Sequence, residues 1–567
     1  SVVAAGLGGH RVLADGASPQ ERQLLNVIGE IAIASGSPVP GVYVLRDEPG
    51  INAFAAGWSG SDAVIGVTQG CLEKLTRDEL QGVIAHEFSH ILQGDARLNI
   101  RLMGVIYGIV LLGIFGRILV HSLRFSGRSS NRKGNAVAVA LAAGVTLMVL
   151  GYAGTFFGDL IKAAVSRQRE FLADASAVQY TRNPSGIAGA LMKIGGLREG
   201  SGVGHVGAVE ASHMFFGAAT AMRLRGLFAT HPPLEERVLR LVPEYAGRLR
   251  KAFSGDRAAV GMLQAGAFGL DGGGVTSPAV APAQGALAHI GAPTAAHLEQ
   301  ARSLLARLPA DLRGAAESPF GARAIIHAML IRPVHGVEGR SRGWLEHRVE
   351  PAVLREVDRW VGALGPLAPE LRHAALDMAL GSLEALSPEQ GELLLKEIDG
   401  ASAADGSVSV YESSVRRLVA QRLSPPAVDR RQGGARLADA KTHVRQLLWW
   451  LAHVGASDDA ARERAFAVGW EVWGPGTTLP ASFGVGGPVG GPVDLDNALE
   501  RLAGLRPADR RRVLAAAAAI VEADGAVKPA EAELFRILAE ALGAPVPPLS
   551  PGQRLVSGSA QRAGGPA

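Results

Sequence analysis

Gln81-Gly-Val-Ile-Ala-His86-Glu87-Phe-Ser-His90-Ile-Leu-Gln-Gly94 is the stretch on which the reading of this 567-residue chain turns. Two imidazoles four residues apart share one face of a helix and can hold a single metal ion. The glutamate one residue after the first histidine then reaches a water at that ion. The helix start is marked by Thr76 and Glu79, a capping-box pair that satisfies free backbone donors. Gly94 supplies the stop, and Leu80, Val83, Ile84, Ile91 and Leu92 supply apolar cover. A core helix with two hydrogen-bonded histidines fits the same pattern, so the spacing opens a zinc-peptidase reading without closing it.

A peptidase zinc takes three protein ligands and leaves one position for water. The best third candidate lies in Ser166-Arg-Gln-Arg-Glu-Phe-Leu-Ala-Asp174, where Glu170 and Asp174 share a helix face. Glu170 is a candidate ligand. Asp174 is a candidate acceptor for the far nitrogen of a ligand histidine, which would fix its tautomer. The bland alternative is a solvated charged turn in which Arg167, Arg169, Glu170 and Asp174 pair with one another.

Together these segments resemble the HtpX-like and CAAX-prenyl-protease group of membrane gluzincins, from about Arg22 to Tyr245. Upstream, Val42-Tyr-Val-Leu-Arg-Asp47, Gly50-Ile-Asn-Ala-Phe-Ala-Ala-Gly57 and Ala63-Val-Ile-Gly-Val-Thr68 match in family order; downstream, Thr230-His-Pro-Pro-Leu-Glu-Glu-Arg237 does. The resemblance implies that His86, His90 and Glu170 ligate one Zn²⁺ and that Glu87 is the general base, moving a proton from the attacking water to the leaving amine. It also implies that His231 either steadies the oxyanion or swings onto the metal to silence it, with Arg237 nearby. The bland alternative there is a turn, with Pro232 and Pro233 opening a helix. Asn52, Ala53 and Phe54 fall where the family presents an edge strand to substrate, although Asn52 also suits a hairpin turn.

With 47% hydrophobic residues, the composition is apolar for a soluble protein. Two segments account for this. Residues 136–157 carry no charge and are long enough to span a bilayer; residues 102–120 are nearly as apolar, with Arg117 placed to snorkel. A pair of buried helices is the alternative, but the lengths and the basic connector from Arg124 to Asn135 favour spanning. One span follows the zinc helix and the other precedes Glu170. A hairpin therefore returns the third ligand to the side that holds the histidines, and the site is expected at the membrane surface.

Basic residues flank both ends of the hairpin. The connector carries Arg124, Arg128, Arg132 and Lys133, and the catalytic flank carries Arg97, Arg101, Lys162, Arg167 and Arg169. The positive-inside rule therefore barely separates the two orientations. The resemblance implies a bacterial inner membrane with the catalytic part in the cytoplasm. Cys71 is the single cysteine, which excludes an intrachain disulfide. The chain opens on Ser1 without a signal peptide, leaving room for residues upstream. The net charge of +4 is small and no aromatic–basic stripe appears, so nucleic acid is not an expected partner. Protein or peptide substrates and the lipid bilayer are.

The expected fold is mainly α with a small β-sheet: a zincin-like peptidase domain, a two-helix transmembrane hairpin, and all-α domains behind it. The peptidase occupies 1–101 and 161–255 around a hairpin at 102–160. A Gly/Ala/Pro-rich linker covers 256–287, a helical domain 288–473, a second linker 474–493, a helical domain 494–545 and a disordered tail 546–567. Asp405-Gly-Ser-Val and Asp524-Gly-Ala-Val form a weak repeat, each with a glutamate seven residues after the aspartate. The second, within Ala515 to Leu542, resembles the TerB-like domain of tellurite-resistance proteins. That resemblance would allow a metal or partner site on these acidic residues. Turn formation and a Ser409–Glu412 capping box explain them better, and the spaced ligands of an EF-hand are missing. The expected function is a membrane-anchored zinc endopeptidase in membrane-protein quality control. The rival is a non-catalytic or autoinhibited zinc-containing scaffold that binds partners, or itself, through the helical half.

Overall fold

A computed structural model describes residues 2–57, 62–125, 134–197, 200–203, 216, 231–245, 285–331, 338–404, 408–423, 440–455, 458–474, 492–523 and 529–548. Helices dominate. One four-stranded sheet is formed by β1 (His10–Arg11), β2 (Gly41–Leu45), β3 (Ala53–Ala56) and β4 (Val64–Thr68), in the order β1-β2-β4-β3. The central strands β2 and β4 pair in parallel and are wholly buried; β3 runs antiparallel to β4 and forms an edge.

Alternation along the strands divides their side chains between two apolar layers. Val42, Val44, Ala53, Ile65 and Val67 join the main core, whereas Tyr43, Leu45, Phe54, Ala56 and Val64 close a smaller one on the opposite face. The main-core face is covered by α2 (Pro19–Ser35) and α4 (Arg77–Gln93), with α1 (Val2–Gly6) on the other side and α3 (Gln69–Lys74) leading into α4. The caps of α4 are those expected. Thr76 Oγ accepts from the Glu79 amide at 3.3 Å and the Glu79 carboxylate accepts from the Thr76 amide at 2.7 Å. Gly94 takes φ 69°, the left-handed conformation that a helix stop requires.

From Gly94 the chain continues directly into α5 (Asp95–Phe125), and α6 (Gly134–Thr181) returns alongside it. Both are long and apolar enough to cross a membrane, and their apolar side chains point away from the protein: Tyr107 is 67% and Val139 70% exposed. A core helix of a soluble protein would bury such residues; a lipid-facing one would not. The two helices touch through glycines. A Cβ on Gly151 would lie 2.3 Å from Gly113 Cα, so only hydrogen fits there. The boundary drawn at residue 160 falls inside a continuous helix. No helix terminator stands between the apolar stretch and Thr181, and α6 is one 48-residue helix. Glu170 sits about 20 Å along its axis beyond Phe157. Of the connector's basic residues, Arg128, Arg132 and Lys133 lie outside the described residues.

Two further helices, α7 (Pro184–Gly196) and α8 (Leu234–Leu241), complete the amino-terminal part, with α7 packed on α4. The helices between residues 295 and 541 include α9 (Ala295–Arg307), α10 (Pro369–Ser382), α11 (Val410–Leu423), α12 (Lys441–Gly455), α13 (Asp459–Trp473), α14 (Pro507–Val521) and α15 (Pro529–Ala541). α9 lies on α2, α13 on α14, and α15 on both α10 and α11. The apolar core thus runs from the sheet into the carboxy-terminal helices and across the boundary drawn at 474–493. Val546, assigned from sequence to a disordered tail, is buried, and its carbonyl packs so closely on Gly36 that a Cβ there would clash at 2.1 Å. Ser409 and Glu412 form the expected capping box. The Asp405-Gly and Asp524-Gly turns lie outside the described residues, as do most of both linkers and residues 549–567.

Candidate active site

Three elements converge beside β3. The buried face of α4 presents His86, Glu87 and His90; α6 presents Glu170 and Asp174; the segment that opens α8 brings His231 and Arg237. His86 Nε2 and His90 Nε2 lie 3.1 Å apart, and each is 3.7 Å from an oxygen of Glu170. The three residues can offer one donor atom each within 4.8 Å of the others. The hairpin brings Glu170 back to the histidines, as expected.

The far nitrogens of both histidines face carboxylates. His86 Nδ1 is 2.9 Å from Asp174 Oδ1, and His90 Nδ1 is 2.7 Å from Asp95 Oδ2. A proton on Nδ1 directed at a carboxylate leaves the Nε2 lone pair free for a metal. Asp174 lies at the far nitrogen of His86, where the sequence placed it. Asp95 was not anticipated, although a signal existed: an acidic residue directly after the Gly94 stop, five residues past His90. It also pairs with Arg169 at 3.1 Å.

Arg237 is fully buried and grips Asp174 with two nitrogens, at 2.8 and 2.7 Å, while its Nη1 lies 3.4 Å from Glu170 Oε2. His231 Nδ1 is 3.2 Å from the same Glu170 oxygen. Thus the segment His231 to Arg237 is more than a turn.

Glu87 is fully buried and neither of its carboxylate oxygens has a hydrogen-bond partner among the described residues. Burial pushes its pKa up to about 7, against the pull of His90, His231 and Arg237. Burial holds His86 down at about 4, so it stays neutral despite Asp174. Burial also disfavours charge on His90, but Asp95, Glu170 and Glu87 outweigh it and raise the imidazole to about 9. The surroundings of His90 therefore favour a cation at this point. Two neutral-capable imidazoles, a carboxylate, and an orphaned carboxylate beside them fit a zinc ion and its base.

The structure places Asn52, Ala53 and Phe54 at the edge of the sheet. β3 is an edge strand, but the side chains of Asn52 and Phe54 do not face the site. Asn52 is buried and ties the strand down: its amide donates to Thr68 Oγ1 at 2.9 Å and its Nδ2 to the Ser201 carbonyl at 2.7 Å. Phe54 fills the smaller core against Gly66, because strand alternation turns it to the other face. What the edge offers is main chain, at Ala53 and, by alternation, Ala55.

One group already uses that edge. The Phe216 amide donates to the Ala53 carbonyl at 2.8 Å, and the Phe216 carbonyl accepts from Arg237 at 3.0 Å. Its ring stands edge-on to His86, with centroids 4.8 Å apart, beneath the Arg237 guanidinium. No spacing in the sequence pointed to Phe216.

Comparison with known proteins agrees with this geometry. Peptidase family M48 matches residues 18–244. A protein named protease HtpX homolog from Dictyoglomus turgidum is 38% identical over 218 residues, which is 38% of this chain and 68% of the relative. Its namesake in Bacteroides fragilis strain YCH46 is 36% identical over 237 residues, covering 40% and 70%. Another, from Listeria monocytogenes serotype 4a, is 37% identical over 222 residues, covering 38% and 72%. No solved structure matches.

Proposed function

The chain belongs to peptidase family M48, among its HtpX-like members, and from that premise we propose that it is a zinc-dependent endopeptidase that cuts proteins at a membrane surface. One observation carries the proposal: His86, His90 and Glu170 converge from two helices while the unpartnered Glu87 carboxylate lies beside them. Zinc, when bound, polarises the scissile carbonyl and makes water a better nucleophile at neutral pH.

The remaining work falls to the chain's own groups. His86 and His90 present Nε2, each oriented through Nδ1 by Asp174 or Asp95. Glu87 accepts a proton from the attacking water and returns it to the leaving amine. A carboxylate lifted towards neutrality by burial suits both transfers. His231 is the donor placed to steady the developing oxyanion. The edge of β3 holds substrate as an added strand through the main chain of Ala53 and Ala55. The α5–α6 hairpin anchors this machinery in the bilayer, which suits membrane-protein quality control from the cytoplasmic face of a bacterial inner membrane. The TerB-like likeness of 494–545 leaves the carboxy-terminal half as a platform for partners or self-association.

The test is casein cleavage by the detergent-solubilised full chain. Glu87→Gln should keep its zinc and lose at least ~100-fold in rate, the usual contribution of a general base. Full proteolysis by that variant would sink the assignment.

A second reading has Phe216 in its favour. Its amide occupies the edge that substrate needs and its ring rests on His86, as an autoinhibited site would require.

A further inference from the structure

Away from the peptidase site, α10 and α15 enclose another set of metal-ligating side chains. His373 and Asp377 stand four residues apart on α10, the same spacing as His86 and His90, and Glu540 faces them from α15. All three are at least nine-tenths buried. His373 Nε2 is 3.5 Å from Asp377 Oδ1 and 4.0 Å from Glu540 Oε2. His373 Nδ1 and all four carboxylate oxygens lack a hydrogen-bond partner among the described residues.

Those separations are too long for good hydrogen bonds, yet they bring acceptor atoms together in a dry interior. Donors around a tetrahedral ion with bonds of about 2.1 Å stand roughly 3.4 Å apart. The His86, His90 and Glu170 donors show the same pattern, at 3.1 to 3.7 Å.

Charge points the same way. Arg536 is the nearest cation, with Nη2 4.0 Å from Asp377 Oδ2, the oxygen turned away from His373. It offsets one of the two carboxylates. Arg422 is paired with Glu384 at 3.1 Å. Burial disfavours charge on both Asp377 and Glu540, and a bound cation would relieve that cost where a proton otherwise does.

We propose that His373, Asp377 and Glu540 form a second metal site, holding a divalent transition ion of the zinc or manganese kind. The imidazole argues against calcium or magnesium, which prefer oxygen alone. Complete burial makes the ion structural: it clamps α15 onto α10. The clamp extends to the peptidase part, because α10 abuts the chain entering β2. The Val39 amide donates to the Asp377 carbonyl at 3.2 Å, and a Cβ on Gly381 would meet the Val39 carbonyl at 2.5 Å.

The test is metal content by mass spectrometry on the purified full chain. Wild type should hold ~2 ions per chain, His86→Ala/His90→Ala ~1, and the same double variant with His373→Gln or Glu540→Gln none. A metal-free double variant would overturn the second site, as would one whose ion survives both added changes. Because the added changes put the fold itself at risk, thermal unfolding of His86→Ala/His90→Ala is followed with and without added Zn²⁺ or Mn²⁺. A rise in midpoint supports the site; no rise with either ion overturns it. Failure of the peptidase reading would look different, since metal would then not fall when His86 and His90 are removed.

Discussion

Arg237 holds Asp174 through two guanidinium nitrogens, and Asp174 in turn faces Nδ1 of His86. The chain of contacts runs from α8 through α6 to His86, a candidate metal ligand on α4, and every member is buried. Each link depends on the next, because an unpaired charge in that position is costly.

Removing one end should therefore be felt at the other. Asp174→Asn is expected to weaken zinc binding ~10- to 100-fold, since the amide no longer fixes the His86 tautomer, and to cost stability because buried Arg237 loses its paired charge. Arg237→Ala leaves the Asp174 carboxylate buried and unpaired, at a cost of roughly 3–5 kcal/mol. Zinc titration of the first variant and denaturant unfolding of the second check the two effects. Unchanged zinc affinity in Asp174→Asn would remove it from the ligand-orienting role.

Phe216→Ala tests whether the site is covered by its own chain. Loss of an aromatic contact worth about 0.5–1.5 kcal/mol should raise casein cleavage roughly 2- to 10-fold without altering metal content. A fall in rate with a higher KM would instead make Phe216 part of the wall against which substrate packs.

Cys71 offers a pH-dependent readout outside the set of candidate metal ligands. Its thiol is buried and donates to the Asn52 carbonyl at 3.0 Å; burial pushes its pKa up to about 11 from an ordinary value of 9.0. The folded state thus keeps its proton where the unfolded chain releases it. Stability is unaffected below about pH 9 and falls by about 2–3 kcal/mol as pH rises to about 11. Cys71→Ala should flatten that decline, and native protein at about pH 8, below both values, should resist thiol alkylation. Rapid alkylation without unfolding would show that the β3–α3 junction opens.

The membrane hairpin is tested at its glycine contact. Gly151→Leu has no room against Gly113 and should destabilise the hairpin in detergent by ~1–3 kcal/mol. Gly104→Ala, where no atom lies within 4 Å of the added carbon, is the control and should be neutral or slightly stabilising. Equal melting temperatures for Gly151→Leu and wild type would argue against the close crossing of α5 and α6.

Much of the site was legible because its rules are local. Capping by Thr76, Glu79 and Gly94, the four-residue spacing of His86 and His90, and that of Glu170 and Asp174 all follow from helical geometry. Even the return of Glu170 needed only the count of apolar spans. Phe54 shows the limit. Its position in an edge strand was readable, but the face it takes depends on the register against β4.

Sequence alone therefore determined the candidate metal-binding pattern, the carboxylate beside it and two membrane-length helices, since these rest on periodicity and apolar length. Only the tertiary structure decided that Arg237 grips Asp174, that Phe216 lies on the edge of β3, and that His373 and Asp377 meet Glu540. Those contacts join residues whose separation along the chain carries no period, so they exist only once packing has brought their helices together.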